Sequence, residues 1–457
     1  MSLKFDMTFF FRPNIENGLD EKSFERELED VKELVENLRK EPPGFVRIVL
    51  EDSQLMNAKK MAKRFGHFKD FDDFVVVGIG GSALGNKAVR DAICGPEWND
   101  ETKEGRRGFP RIHIIDNVDP DFVGSIMEKL NFRKTFFNVI SKSGKTVETV
   151  AVYMIVRGIM DSLGVDPREH MLITTDPDAE FLREVAESDG IPTLYIPKDV
   201  GGRFSVLSVV GLVSAEAGGV NTEELRGGAL KAYDDFLKND LKENHAIMTA
   251  LSYYLFYRTG KNVNVMMAYS NRLLSLAEWF RQLLAESLGK KFDTNGNKVE
   301  VGPTPVMALG ATDQHSQIQL YNEGPKDKII TFLRVDKHER CMKIPRIHEN
   351  FQDMVHLCGK TLGELINAEQ KATSISLALN GVPNMTISFD EINEKNVGEF
   401  FMTYELMTVI MGGLLGVNPF DQPGVEMGKK LTHAIMGSKA HKDYLDMLRK
   451  VSKRMLI

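Results

Sequence analysis

From about residue 71, short apolar, β-branched runs alternate with helical stretches. Runs at 74–79, 112–115, 136–140, 171–175 and 193–197 read as strands. Buried strands alternating with helices predict an α/β fold built on a doubly wound parallel sheet. A second set at 263–267, 304–309 and 329–335, again interrupted by helices, predicts a second α/β domain, with one further strand at 384–389. Ahead of the first set, Phe24, Leu28, Val31, Leu34, Val35 and Leu38 recur at helical spacing within residues 19–39. That stretch reads as an amphipathic helix, stopped by Glu41-Pro42-Pro43-Gly44. The chain closes with helical segments over about 396–454, and Gly218-Gly219-Val220-Asn221 marks a boundary near 215–222. The expected division is a helical arm over 1–58, α/β domains over 59–215 and 216–400, and a helical segment over 401–457.

Two of the strand-to-helix junctions carry chemistry. Phe137-Asn138-Val139-Ile140 ends abruptly in Ser141-Lys142-Ser143-Gly144-Lys145-Thr146, and a helix-like stretch follows from Thr149. Such a loop aims backbone N–H groups, hydroxyls and a positive helix end at one point, which suits a phosphate. A phosphate handle implies a phosphorylated metabolite, a nucleotide or a cofactor. Gly144-Lys145-Thr146 matches the end of a nucleotide P-loop, but Val139 stands where its first glycine belongs. Upstream, Val75-Val76-Val77-Gly78-Ile79-Gly80-Gly81-Ser82-Ala83 reads as a buried strand entering a glycine-rich turn. Gly78, Gly80 and Ala83 nearly fit a dinucleotide fingerprint, but the acid expected about 20 residues on, at the end of the next strand, is missing: that strand ends near Asp116, too far downstream. A nucleophile elbow also fails, because Leu84 and not glycine follows Ser82 by two. What remains is a backbone N–H nest with one hydroxyl, able to converge with the first loop on a small ligand.

Composition narrows the class. Over 457 residues, 42% are hydrophobic and 27% charged, the profile of a globular protein large enough for several domains. A net charge of −7 argues against a general nucleic-acid or acidic-membrane surface. No run of about 18 apolar residues predicts a membrane span, and the amino terminus has no secretory signal pattern. Cys94, Cys341 and Cys358 lie far apart, which fits a reducing cytoplasm and inert thiols. His338-Glu339 and His348-Glu349 lack a second histidine at zinc spacing, so no metal is expected.

Four further segments hold candidates. Arg203 follows Gly201-Gly202 just past the strand at 193–197; a permanently charged guanidinium suits an anion or enolate, or else a structural ion pair. Gln282 and Glu286 share a helix face at i, i+4. Neighbouring Leu283 and Leu284 can bury that carboxylate and tune it as a general base; the plain alternative is an exposed helix glutamate. His315 follows the strand 304–309, in a common catalytic position. Phe420 to Lys429 combines a turn, the amide of Gln422 and a lysine about two turns into a helix.

Taken in order, these segments resemble the glucose-6-phosphate isomerase family. The resemblance is carried by Asp199-Val200-Gly201-Gly202-Arg203-Phe204-Ser205-Val206-Leu207-Ser208-Val209-Val210-Gly211 and by Gly416-Val417-Asn418-Pro419-Phe420 through Lys429. It runs from about residue 70 to 435. It implies two sugar-isomerase (SIS-type) α/β domains with helical extensions, the last completing the active site. It implies that Ser141, Lys142, Ser143 and Thr146 hold a sugar 6-phosphate and that Gly81 and Ser82 lie at the sugar hydroxyls. Glu286 would be the base that moves a proton between C1 and C2 through a cis-enediol, and Arg203 would stabilise its charge. His315 and Lys429 would assist ring opening, with Gln282, Gln422 and Glu148 in support. The resemblance also implies an obligate homodimer with His315 supplied across the interface, no cofactor, and a cytoplasmic place in glycolysis and gluconeogenesis. Lys145 and Pro423 depart from the family's usual residues. Two alternatives stay open: an isomerase that also takes mannose 6-phosphate, and a non-catalytic sugar-phosphate sensor.

Overall fold

The computed structural model describes residues 2–450. Among the described residues twelve strands run in chain order: β1 (Lys4–Asp6), β2 (Asp73–Val77), β3 (Arg111–Ile115), β4 (Thr135–Ser141), β5 (Met171–Thr175), β6 (Thr193–Tyr195), β7 (Val263–Ala268), β8 (Lys290–Phe292), β9 (Lys298–Val301), β10 (Thr304–Leu309), β11 (Lys328–Val335) and β12 (Asn384–Phe389). The first sheet has the order β3-β2-β4-β5-β6 and is parallel throughout. The second has the order β1-β12-β11-β7-β10, parallel except where β1 joins β12 antiparallel. Apart from the terminal edge strands, the two sheets share one winding. The first strand of each set lies inside, the second to one side, and the chain then crosses to the other.

Helices cover both faces of each sheet, so β2, β4 and β5 are buried along their whole length. The period of two is still visible in the packing. Phe74 and Val76 of β2, with Phe136 and Ile140 of β4, face a large core that also holds Met266 and Leu333 of the second sheet. Val75, Val77, Phe137 and Val139 point to the opposite face, under the helix Val147–Leu163. The arm feeds the large core as well, through Phe24, Leu28, Val31 and Val35. The second core-forming unit is the helix Glu394–Leu414, buried from Asn396 to Gly412. It crosses the helix Thr222–Phe236 at glycines: a Cβ on Gly228 would stand 1.8 Å from the Lys395 carbonyl oxygen, and one on Gly398 1.8 Å from that of Leu225.

Several expectations are refined. The amphipathic stretch at 19–39 is two helices, Glu21–Asp30 and Lys32–Lys40, interrupted at the buried Val31. The strands expected at 74–79 and 193–197 end at Val77 and Tyr195, where their loops turn away. The three-residue β1 and the β8–β9 hairpin were not legible as strands, being too short for a periodic signal. The helical closing segment is present as Glu394–Leu414, Glu426–Ile435 and Asp443–Lys450; residues 451–457 lie outside the described part.

Candidate active site

In the first sheet, β2 is the strand from which the chain winds both ways, with β3 on one side and β4 on the other. The carboxyl ends of β2 and β4 therefore flank a topological switch point, where α/β sheets take ligands. Both glycine- and hydroxyl-rich loops open there. After β4, the Ser141 Oγ and Thr146 Oγ1 lie 2.8 Å apart, and the Ser143 Oγ is 3.4 Å from Thr146. Thr146 is the N-cap of the 17-residue helix Val147–Leu163, yet its hydroxyl makes no cap bond. It faces the other two hydroxyls at the positive helix end. Lys142 donates to the carbonyls of Lys198 (2.6 Å) and Val200 (2.9 Å). Burial lowers its pKa from the usual lysine value. Lys145, the extra cation of this loop, pairs instead with Glu180 at 2.9 Å. Glu148 lies in the first helical turn, beside the buried Thr149 hydroxyl.

The loop after β2 is pressed against the turn that carries Arg203. A Cβ on Gly81 would stand 2.1 Å from the Gly202 carbonyl carbon, so only glycine fits there. Gly80 adopts a left-handed φ of +58°, and a Cβ on it would lie 2.9 Å from the Gln282 amide nitrogen. Ser82 closes this turn and leads into the helix Leu84–Val89.

Arg203 is the hub. Its side chain is 1% exposed. Nε donates to the Ser287 hydroxyl at 2.7 Å. Nη1 donates to Glu286 Oε1 and to Gln422 Oε1, each at 3.1 Å. Nη2 donates to the carbonyls of Pro419 (2.5 Å) and Asp421 (3.1 Å). Burial lowers its pKa, while Glu286 and Asp421 oppose that shift. A guanidinium stays charged in such a place because its planar fork meets several acceptors at once. Glu286 stands on the helix Leu274–Leu288 and keeps about a quarter of its side chain exposed, at 26%. Its second oxygen accepts from Gln282 Nε2 at 2.9 Å, whereas Gln282 Oε1 is buried without a partner. Carboxylate, guanidinium and two amides thus form one cluster against the loop after β2.

Two expected residues stand apart from it. His315 is exposed at the end of the turn Thr312–His315 after β10. Lys429 is exposed on the helix Glu426–Ile435 and pairs with Glu426 at 2.7 Å. Within one chain neither bonds to Glu286 or Arg203 among the described residues. Pro423 opens the short turn that leads from Gln422 into that helix. Sequence reasoning missed Ser287 and Lys290, which bind Arg203 and the helix end. A lysine next to a helix-ending Gly289 was the available signal for Lys290.

Among the described residues no three His, Cys, Asp or Glu side chains group as a metal site, and no helix is long and apolar enough to cross a membrane. A cavity of about 960 Å³ lies elsewhere, at the carboxyl ends of β7 and β11, and shares no lining residue with this cluster. The hydrogen-bonded cluster is the better candidate for chemistry, because it joins a carboxylate and a cation beside a glycine-rich loop.

The family described as phosphoglucose isomerase matches residues 54–451. A glucose-6-phosphate isomerase of Carboxydothermus hydrogenoformans is 40% identical over 99% of this chain and 98% of its own length. One from Thermus thermophilus is 40% identical over 79% of this chain and 83% of its own. Among solved structures, a hypothetical protein of Thermus thermophilus superposes with a TM-score of 0.83 at 36% identity, covering 95% of this chain and 100% of that one. A glucose-6-phosphate isomerase of Chlamydia trachomatis shares the fold at a TM-score of 0.80 and 21% identity, covering 95% of this chain and 90% of that one. This chain, whose buried arginine binds a helix-borne glutamate beside a hydroxyl-rich loop, belongs to the phosphoglucose isomerase family.

Proposed function

We propose that this protein interconverts glucose 6-phosphate and fructose 6-phosphate, with Glu286 as the base. The observation that carries this reading is the Glu286 carboxylate itself, held between the Arg203 guanidinium and the Gln282 amide. Glu286 takes the proton from C2 of the open-chain aldose and returns it to C1 of the cis-enediol. Negative charge that develops on the enediol oxygens meets the fixed guanidinium of Arg203, a donor already in place before the reaction. No electron leaves the substrate, so the step calls for no redox cofactor.

The remaining roles follow the same chemistry. Ser141, Ser143 and Thr146 hold the phosphate with their converging hydroxyls at the helix end. Lys142 joins them with the third of its ammonium protons, two being used on carbonyls. Gly81 and Ser82 lie along the sugar hydroxyls, and the unpartnered Gln282 Oε1 accepts from one of them. Gln422 and Glu148 support the same pocket. His315 and Lys429 assist ring opening, with His315 acting in the site of a second copy; its exposed position in the single chain fits that assignment. The exposed Met342, Ile347, Phe351 and Met354 fit a face that a second copy covers. The chain divides as the sequence suggests, with the arm (1–58) and closing segment (401–457) serving domains over 59–215 and 216–400. Three free cysteines fit a cytoplasmic enzyme.

The test is turnover of fructose 6-phosphate by purified protein with a chelator present, coupled to a glucose-6-phosphate-specific dehydrogenase. Rapid NADPH formation is expected. Binding without turnover would overturn the reading in favour of a sensor.

A further inference from the structure

Lys290 lies against the site and has no part in the reaction described above. It follows Gly289 at the end of the Glu286 helix and opens β8. Its side chain is 5% exposed. The ammonium donates to the carbonyls of Glu286 (2.8 Å), Ser287 (2.8 Å) and Asp421 (3.0 Å), which uses all three protons. The first two acceptors belong to the last turn of the helix, where carbonyls lack intrahelical partners and the helix dipole favours a cation. The third belongs to the loop that also presents Gln422. Arg203 Nη2 donates to the same Asp421 carbonyl, at 3.1 Å. One carbonyl is thus clamped between two buried cations. The Asp421 carboxylate lies 3.6 Å from Lys290 and offsets part of their repulsion.

We propose that Lys290 is a positioning residue of the isomerase reaction: its ammonium locks the end of the Glu286 helix to the loop Pro419–Gln422. The inference rests on Glu286 being the base. Two elements far apart in sequence must hold the carboxylate, the Arg203 guanidinium and the Gln422 amide in one geometry. Arg203 reaches the helix only through side chains, Glu286 and Ser287, and the loop through the Gln422 amide and the carbonyls of Pro419 and Asp421. Lys290 links them backbone to backbone. Burial lowers the pKa of Lys290 and the nearby Arg203 adds to that effect, while Asp421 and Glu286 favour the charged form. A cation is tolerated there because its acceptors are all in place.

The experiment compares the parent protein with Lys290→Met and Lys290→Arg for kcat, KM for fructose 6-phosphate and thermal melting. Lys290→Met keeps the apolar stem and removes the donors. A misplaced catalytic group typically costs about a hundredfold, so kcat should fall by about that factor while KM changes little. Lys290→Arg, which still presents donors to the carbonyls, should recover most of the loss. If Lys290→Met does not fold, Lys290→Gln is read in the same way. Parental kcat in a folded Lys290→Met, or a lower melting temperature with unchanged kcat, would overturn the role. Loss of turnover that Lys290→Arg leaves unrepaired would overturn it too. A parent protein without turnover would instead overturn the isomerase reading, and the positioning role with it.

Discussion

Arg203 and Glu286 are 83 positions apart and meet at 3.1 Å, Nη1 to Oε1. The guanidinium is sealed by protein on nearly every side, whereas the carboxylate keeps an open edge. The cation is therefore fixed and the carboxylate remains accessible. An enediol intermediate needs that arrangement, because charge stabilisation is strongest from a donor that does not reorganise.

Glu286→Gln keeps the size and the contact with Gln282 but cannot accept a proton from carbon. Turnover should fall by about 10²–10⁴-fold, the usual contribution of a general base. Substrate binding, followed by calorimetry with glucose 6-phosphate, should survive. Near-parental turnover would remove Glu286 from the role.

Arg203→Lys keeps the charge but loses the fork that serves Ser287, Glu286, Gln422, Pro419 and Asp421 together. If the guanidinium acts mainly on the intermediate, steady-state kinetics should show kcat falling further than KM rises. A rise in KM at unchanged kcat would recast Arg203 as a substrate anchor.

Thr146→Val removes one hydroxyl from the phosphate loop without changing its shape. A hydrogen bond to a charged group contributes about 1.5–3 kcal/mol, so KM should rise roughly tenfold or more while kcat stays near the parent's. The rise should vanish for a substrate analogue lacking the phosphate.

Subunit mixing tests where His315 acts. Glu286→Gln and His315→Ala proteins are each expected to be weak. If His315 serves the neighbouring copy, a hybrid of the two holds one site with both residues intact. Refolding the pair together should then restore activity above that of either variant. An unchanged rate would return His315 to its own chain's site.

Glu405 is fully buried in the helix Glu394–Leu414, with neither carboxylate oxygen partnered by protein. Burial pushes its pKa well above the ordinary 4.5. A carboxyl whose folded pKa is raised contributes stability below pH of about 4.5 and loses it as pH climbs through the folded value. Glu405→Gln should melt above the parent at neutral pH, and the difference should shrink toward acid pH. Equal melting curves at neutral pH would show that the carboxylate is satisfied there.

Local patterns carried much of this far. β2 and β4 are continuous apolar runs because both faces of a parallel sheet are covered, and the loops after them announce themselves through glycine and hydroxyl content. Gln282 and Glu286 share a helix face by spacing alone. The partners of Lys142 did not show in its loop, since Lys198 and Val200 follow two strands later. Lys290 looked like an ordinary lysine beyond a helix end. Its acceptors include a backbone carbonyl 131 positions away, and carbonyls leave no trace in residue type.

By itself, the sequence determined most of the strands and helices of the two sheets, where two phosphate-type loops open, and which side chains have the chemistry for proton transfer. These are properties of short stretches, governed by hydrophobic period, glycine content and side-chain type. Only the tertiary structure decided that Arg203 buries itself against Glu286, that Gly81 lies against Gly202, and that Asp421 is shared by two cations. Those contacts depend on how the winding of the first sheet brings its loops against a helix of the second, and no local pattern encodes a distance across the fold.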